Sequence, residues 1–212
     1  MKRLNTVFFA ALVASTAALV SLPAAAADGD PERGAVLAET CLGCHGIPGY
    51  RNAYPSFRVP KLGGQKPAYV EAALKSYREG TRSHPTMNAQ GSALSDQDIA
   101  DIAAWIGALG TAEDTVQADD VGDDQTLGQC ITCHGGPAGQ GLLPPPPVLS
   151  GQHEEYLEHA LALYKAQGRG MTLMNGIAAP LEDEDIRRLA EFWSSREGLH
   201  TLDPNQRAPA AP

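Results

Sequence analysis

Beyond its first 27 residues the chain has no apolar run long enough to cross a bilayer, which excludes an integral membrane protein built on later segments. Basic residues are scarce, 16 Lys and Arg against 25 Asp and Glu, for a formal net charge of −9. Such a surface disfavours nucleic acid and anionic membranes as partners and favours proteins with basic docking patches. No stretch alternates apolar and polar residues persistently enough for a sheet, so an all-α fold is expected. Cysteine is limited to four residues, all in two pairs, Cys41/Cys44 and Cys130/Cys133.

The opening segment has the form of a secretory signal. Lys2 and Arg3 precede an apolar stretch from about Val7 to Leu22, and the small residues Ala24–Ala27 offer a cleavage site. Residues 1–27 are therefore expected to be removed on export to the periplasm. Without Lys2 and Arg3 the net charge becomes −11.

What remains is a duplication. Cys41–His45 (C-L-G-C-H) matches Cys130–His134 (C-I-T-C-H) at an offset of 89 residues, and Pro60–Gln65 (P-K-L-G-G-Q) matches Pro147–Gln152 (P-V-L-S-G-Q) at 87. The second offset then holds from Tyr69/Tyr156 through Tyr77/Tyr164, Arg82/Arg169, Met87/Met174 and Asn88/Asn175 to Ile99/Ile186. A constant offset broken by one two-residue deletion points to two tandem domains, each small enough to need a cofactor in its core. The expected boundaries are 28–117 and 118–202, joined by an acidic linker (Glu113, Asp114, Asp119, Asp120, Asp123, Asp124) and followed by a Pro/Ala-rich tail, 203–212, expected to be disordered.

Helical spacing is clear in both halves. Tyr69, Val70, Ala73, Leu74 and Tyr77 share one face, as do Tyr156, Leu157, Ala160, Leu161 and Tyr164. A later helix starts at Ser95 with a capping-box pattern and buries Ile99, Ile102, Ala103, Ile106 and Leu109; its counterpart uses Ile186, Leu189, Ala190 and Trp193. A short helix near Pro31 precedes Cys41, whereas the matching segment ahead of Cys130 is polar and eroded.

Each cysteine pair is followed directly by histidine, the attachment pattern for c-type haem. Two thiols one helical turn apart add to the porphyrin vinyl groups, and the adjacent imidazole swings under the ring to bind iron. Structural zinc pairs lie about 15–20 residues apart, a thioredoxin-like pair needs a βαβ context, and disulfides require no histidine. Cys41, Cys44, Cys130 and Cys133 are thus the expected covalent anchors of two c-type haems, with His45 and His134 as proximal iron ligands.

A six-coordinate carrier needs a second axial ligand. Met87, placed on a loop between two helices, and its repeat partner Met174 are the candidates, with Met171 competing at the second iron. The Pro60 and Pro147 carbonyls are expected to accept from the Nδ1–H of His45 and His134. Arg82 and Arg169 either pair with haem propionates or sit as exposed cations at helix ends. Tyr77, Tyr164, Trp105 and Trp193 are expected to wall the pockets.

This constellation, two copies of C-x-x-C-H, P-x-L-x-G-Q, methionine and a final helix, resembles the cytochrome c4 family from about Gly29 to Gly198. The resemblance implies two tandem class I cytochrome c domains packed face to face with propionate edges close together. It implies a periplasmic, non-enzymatic carrier of single electrons between redox proteins toward a terminal oxidase, with peripheral contact to that membrane-bound partner. An alternative is the dihaem subunit of a larger dehydrogenase, of the flavocytochrome sulfide dehydrogenase type. The proline run Pro144–Pro147 and the acidic linker are candidate docking contacts.

Overall fold

In the computed structural model the described residues are 28–112, 116–135, 145–170 and 172–205. The leader, Met171, Pro144, Glu113, Asp114 and the tail beyond 205 lie outside them. The described residues are helical with no sheet, only isolated bridges.

The first repeat contains α1 (Pro31–Leu37), α2 (Glu39–His45), α3 (Pro67–Arg78), α4 (Pro85–Ser92) and α5 (Asp96–Ala108). Asp30 caps α1, accepting from Glu32 N and Arg33 N, and Ser95 and Asp98 close a reciprocal capping box on α5. α1 lies tightly against α5: a Cβ on Gly34 would fall 2.0 Å from the Asp101 carbonyl oxygen. Ile99, Ile102, Trp105 and Ile106 of α5 bury against Val70 and Leu74 of α3 to form the first core.

The second repeat contains α6 (Gln125–His134), α7 (Glu154–Lys165), α8 (Thr172–Ala178) and α9 (Asp183–Ser194). Its core joins Leu157, Ile186, Leu189, Ala190 and Trp193. The polar segment ahead of Cys130 forms no counterpart of α1. A short 3₁₀ turn at Ala118–Asp120 precedes α6, and Val116 and Val121 fill the space against α9. Two linker acids are tied to α9 or the residues just past it, Asp124 to Arg188 and Asp120 to Arg196. These linker acids therefore stitch the second repeat together.

The two repeats exchange their ends. After α5 the chain crosses so that Val116 enters the second core; after α9 it crosses back so that Leu202 enters the first. The return strand pairs His200 with Gly63 through two backbone bonds of 3.0 Å, and Leu202 N donates to the His45 carbonyl at 3.1 Å. At the centre Arg82 and Arg169, repeat partners, face each other in an isolated antiparallel bridge. Equivalent residues meeting in this way mark a pseudo-two-fold axis between the repeats.

Candidate functional site

A cavity of about 450 Å³ runs between the repeats and is lined mainly by apolar atoms. Cys41, Cys44, His45 and Met87 reach it from the first repeat, and Cys130, His134 and Met174 from the second. α2 and α6 present each cysteine pair one turn apart, with the histidine in the last turn of the same helix.

Both histidines are buried. His45 Nδ1 lies 2.8 Å from the Pro60 carbonyl oxygen and His134 Nδ1 3.0 Å from that of Pro147. Burial pushes both imidazoles below their ordinary pKa, opposed by the proline carbonyls. A neutral ring that donates from Nδ1 leaves Nε2 as a free lone pair directed elsewhere, the state a metal ligand requires.

Met87 differs from the loop placement expected of it: it sits in the first turn of α4. Pro85 opens that helix and His84 caps it, accepting from Met87 N at 3.4 Å. The segment P-T-M-N-A-Q-G-S offers no apolar periodicity, so nothing in it announced a helix. Met174 lies likewise on α8. The competing Met171 falls outside the described residues.

Arg82 and Arg169 are not exposed helix-end cations; they are 8 % and 5 % exposed. Arg82 stacks on the Tyr77 ring and donates to the Tyr69 hydroxyl at 3.3 Å and the Tyr156 hydroxyl at 2.6 Å. Arg169 lies over the Tyr164 ring and donates to the same Tyr156 hydroxyl at 3.1 Å. Burial opposes ionisation of Tyr156, but the Arg169 and Arg82 charges outweigh it and hold the phenol at about 8, while burial pushes Tyr77 up to about 12. Trp105 and Trp193 are both buried in the cores, and Tyr77 and Tyr164 line the cavity.

Five buried nitrogens on residues lining this cavity have no partner among the described residues: Arg82 Nε, Arg169 Nε, Trp105 Nε1, Asn52 Nδ2 and His84 Nε2. Buried polar groups left unpaired are costly, and two of these belong to fixed cations. An apolar cavity reached by Cys41, Cys44 and His45 from one side and Cys130 and His134 from the other, with two arginines among its lining, suits two haems and their carboxylates.

Two residue pairs escaped the sequence reading although the repeat displayed them. Asn88 Nδ2 donates to the Tyr77 and Arg82 carbonyls at 2.7 and 2.9 Å. The Asn175 amide, with its oxygen and nitrogen exchanged to match, would donate to the Tyr164 and Arg169 carbonyls at 3.2 and 3.0 Å. Each asparagine thus ties its methionine helix to the arginine–tyrosine cluster. The final glutamines of the two P-x-L-x-G-Q segments cross between repeats: Gln65 binds Val148, and Gln152 binds Lys61.

At the described end of the proline run, Pro145 and Pro147 are half-buried. Pro146 is buried, and Val148 is clasped by Gln65. An asymmetric contact adds to the junction: Arg51 and Arg58 pair with Glu155, and Phe57 stacks on His159 with centroids 4.6 Å apart.

The sequence profile described as "Cytochrome C oxidase, cbb3-type, subunit III" matches residues 30–106 and again 120–192. The cytochrome c4 of Stutzerimonas stutzeri is 34 % identical over 82 % of this chain and 91 % of its own. The thiosulfate dehydrogenase electron acceptor of Stutzerimonas stutzeri strain A1501 is 31 % identical over 87 % of this chain and 93 % of its own. The crystal structure of reduced recombinant cytochrome c4 from Pseudomonas stutzeri superposes with a TM-score of 0.60 at 31 % identity, over 81 % of this chain and 100 % of that one.

Proposed function

Because the chain belongs to the cytochrome c4 family of dihaem c-type cytochromes, we propose that it works in the periplasm as a carrier of single electrons from a donor protein toward a terminal oxidase. It binds two c-type haems and serves electron transfer, as its family does. Each haem supplies an iron that exchanges one electron reversibly. The observation that supports the reading is the shared cavity, which Cys41, Cys44 and His45 reach from one repeat and Cys130 and His134 from the other, with the buried Arg82 and Arg169 among its lining.

In this reading Cys41 and Cys44 anchor the first haem and Cys130 and Cys133 the second. His45 and Met87 would hold the first iron, and His134 and Met174 the second. A thioether opposite an imidazole favours the ferrous state and raises the potential. The Pro60 and Pro147 carbonyls hold the imidazoles in one tautomer and orientation. Arg82 and Arg169, buried in the lining of the cavity, would offset the charge of the haem propionates. No cysteine remains for a substrate-binding axial position, so the chain acts as a carrier and not as an enzyme. Its acidic surface suits donors and acceptors that present basic patches.

Export rests on the leader in residues 1–27; among the described residues no helix is long and apolar enough to cross a membrane. A second reading, an electron-accepting subunit of a dehydrogenase, is favoured by the likeness to the thiosulfate dehydrogenase electron acceptor across nearly all of that protein. Spectroelectrochemical titration of the haem-loaded protein tests the first: two low-spin transitions, both at positive potential, are expected. A high-spin or strongly negative haem would refute His/Met ligation at that site. Stoichiometric co-purification with a dehydrogenase would favour the subunit reading.

A further inference from the structure

The crossing glutamines have a geometry that reaches the irons. The Pro60 carbonyl, acceptor for His45 Nδ1, and the Lys61 N–H belong to one peptide group. That N–H donates to Gln152 Oε1, from the other repeat, at 2.9 Å. The mirror image holds: the Pro147 carbonyl accepts from His134 Nδ1, and the Val148 N–H of the same peptide donates to Gln65 Oε1 at 2.9 Å. Each glutamine also donates from Nε2 to the carbonyl on the far side of the same residue, Lys61 at 3.0 Å and Val148 at 3.1 Å. Both side chains are buried, 3 % and 5 % exposed, so water does not compete for these bonds.

Hydrogen bonds in series through one amide polarise each other. An acceptor on the N–H side places more negative charge on the carbonyl oxygen, which then takes the histidine proton more strongly and makes the imidazole a better electron donor. We infer that Gln65 and Gln152 are crossed positioning residues: Gln65 tunes the haem bound through His134, and Gln152 the haem bound through His45. The inference rests on the assignment of these histidines as iron ligands. Each repeat's electronic environment is thereby completed by its neighbour, and nothing in the two separate halves of the sequence marks the connection.

The test uses the full haem-loaded protein with Gln65→Leu and Gln152→Leu. Haem methyl resonances assigned to each repeat are followed through a redox titration, and histidine Nδ1–H exchange with solvent is read in the same samples. The expected pattern is crossed. Gln65→Leu raises the potential of the second haem more than that of the first and speeds exchange at His134; Gln152→Leu does the reverse at the first haem and His45. Larger shifts in the variant's own repeat, equal shifts in both, or no shift would overturn the inference.

Where a leucine variant fails to retain both haems, Gln65→Glu and Gln152→Glu are read by the same crossed rule. They keep the accepting oxygen and lose the Nε2 donor, so exchange at the opposite histidine stays slow; fast exchange would count against the inference. His45→Ala and His134→Ala separate this from the ligand assignment: loss of each low-spin spectrum supports the ligands whatever the glutamines do, and an unchanged spectrum refutes the ligand assignment itself.

Discussion

The Arg82 guanidinium of the first repeat donates to the Tyr156 hydroxyl of the second at 2.6 Å, beside the bridge it forms with Arg169. Two buried cations side by side repel, and the protein accepts this with four tyrosines around them and, among the described residues, no carboxylate paired with either. Such a pair is stable where anions enter from the cofactor side.

On the proposed placement of the haems, Arg82→Gln in the haem-loaded protein removes positive charge from the point where propionates would converge. Both potentials should fall, the nearer one by up to about 59 mV, equivalent to a tenfold change in the ferric–ferrous balance. A titration with unchanged potentials would place the propionates elsewhere.

Met87→Ala should lower the first haem's potential by more than that same ~59 mV step and open its iron to added imidazole or cyanide. Met174→Ala should do this at the second iron. If Met174→Ala leaves the second spectrum intact, Met171 holds that position.

Glu155 reports on the junction through acid. Its hydrogen bond to Arg58, reinforced by that residue's charge, holds the carboxyl at about 2 against an ordinary 4.5. A depressed acid in the folded state contributes stability that is complete above about 4.5 and lost as pH falls toward 2. The difference in unfolding free energy between the protein and its Glu155→Gln variant should shrink across that window. A constant difference would mean that the pair adds nothing at the interface. Partial solvent exposure of Arg58 keeps the contribution modest.

Leu202, 1 % exposed in the first core, is the most distant residue in chain order to contribute to it. Leu202→Ala should cost about 2–5 kcal/mol in chemical denaturation, with the first haem's spectrum changing before the second's.

The residues that were legible are those with local or periodic meaning. The apolar faces of α3, α5, α7 and α9 appear at helical spacing, and Ser95 and Asp98 announce their own cap. The cysteine–histidine sets and the proline carbonyls lie within one motif length of each other. α4 was not legible as a helix, since a proline start and one methionine leave no amphipathic signal, and α8, seven residues long, is too short to show a period. The glutamine crossing and the buried arginines were hidden for a different reason. A repeat shows which residues are equivalent and leaves open which surfaces of the two copies meet. Phe57 lies on the longer loop of the first half, and Glu155 stands where the first repeat has Ala68, so the repeat gives neither contact a counterpart.

The return of the chain from α9 to the first core carries a consequence for the order in which the protein is made. Leu202 closes the floor beneath His45 and bonds its carbonyl, yet it is synthesised after all nine described helices. The pocket that comes first along the chain is therefore the last to be finished. A haem joined early to Cys41 and Cys44, the anchors proposed for it, would wait in an incomplete shell until the end of the second repeat arrives to seal it.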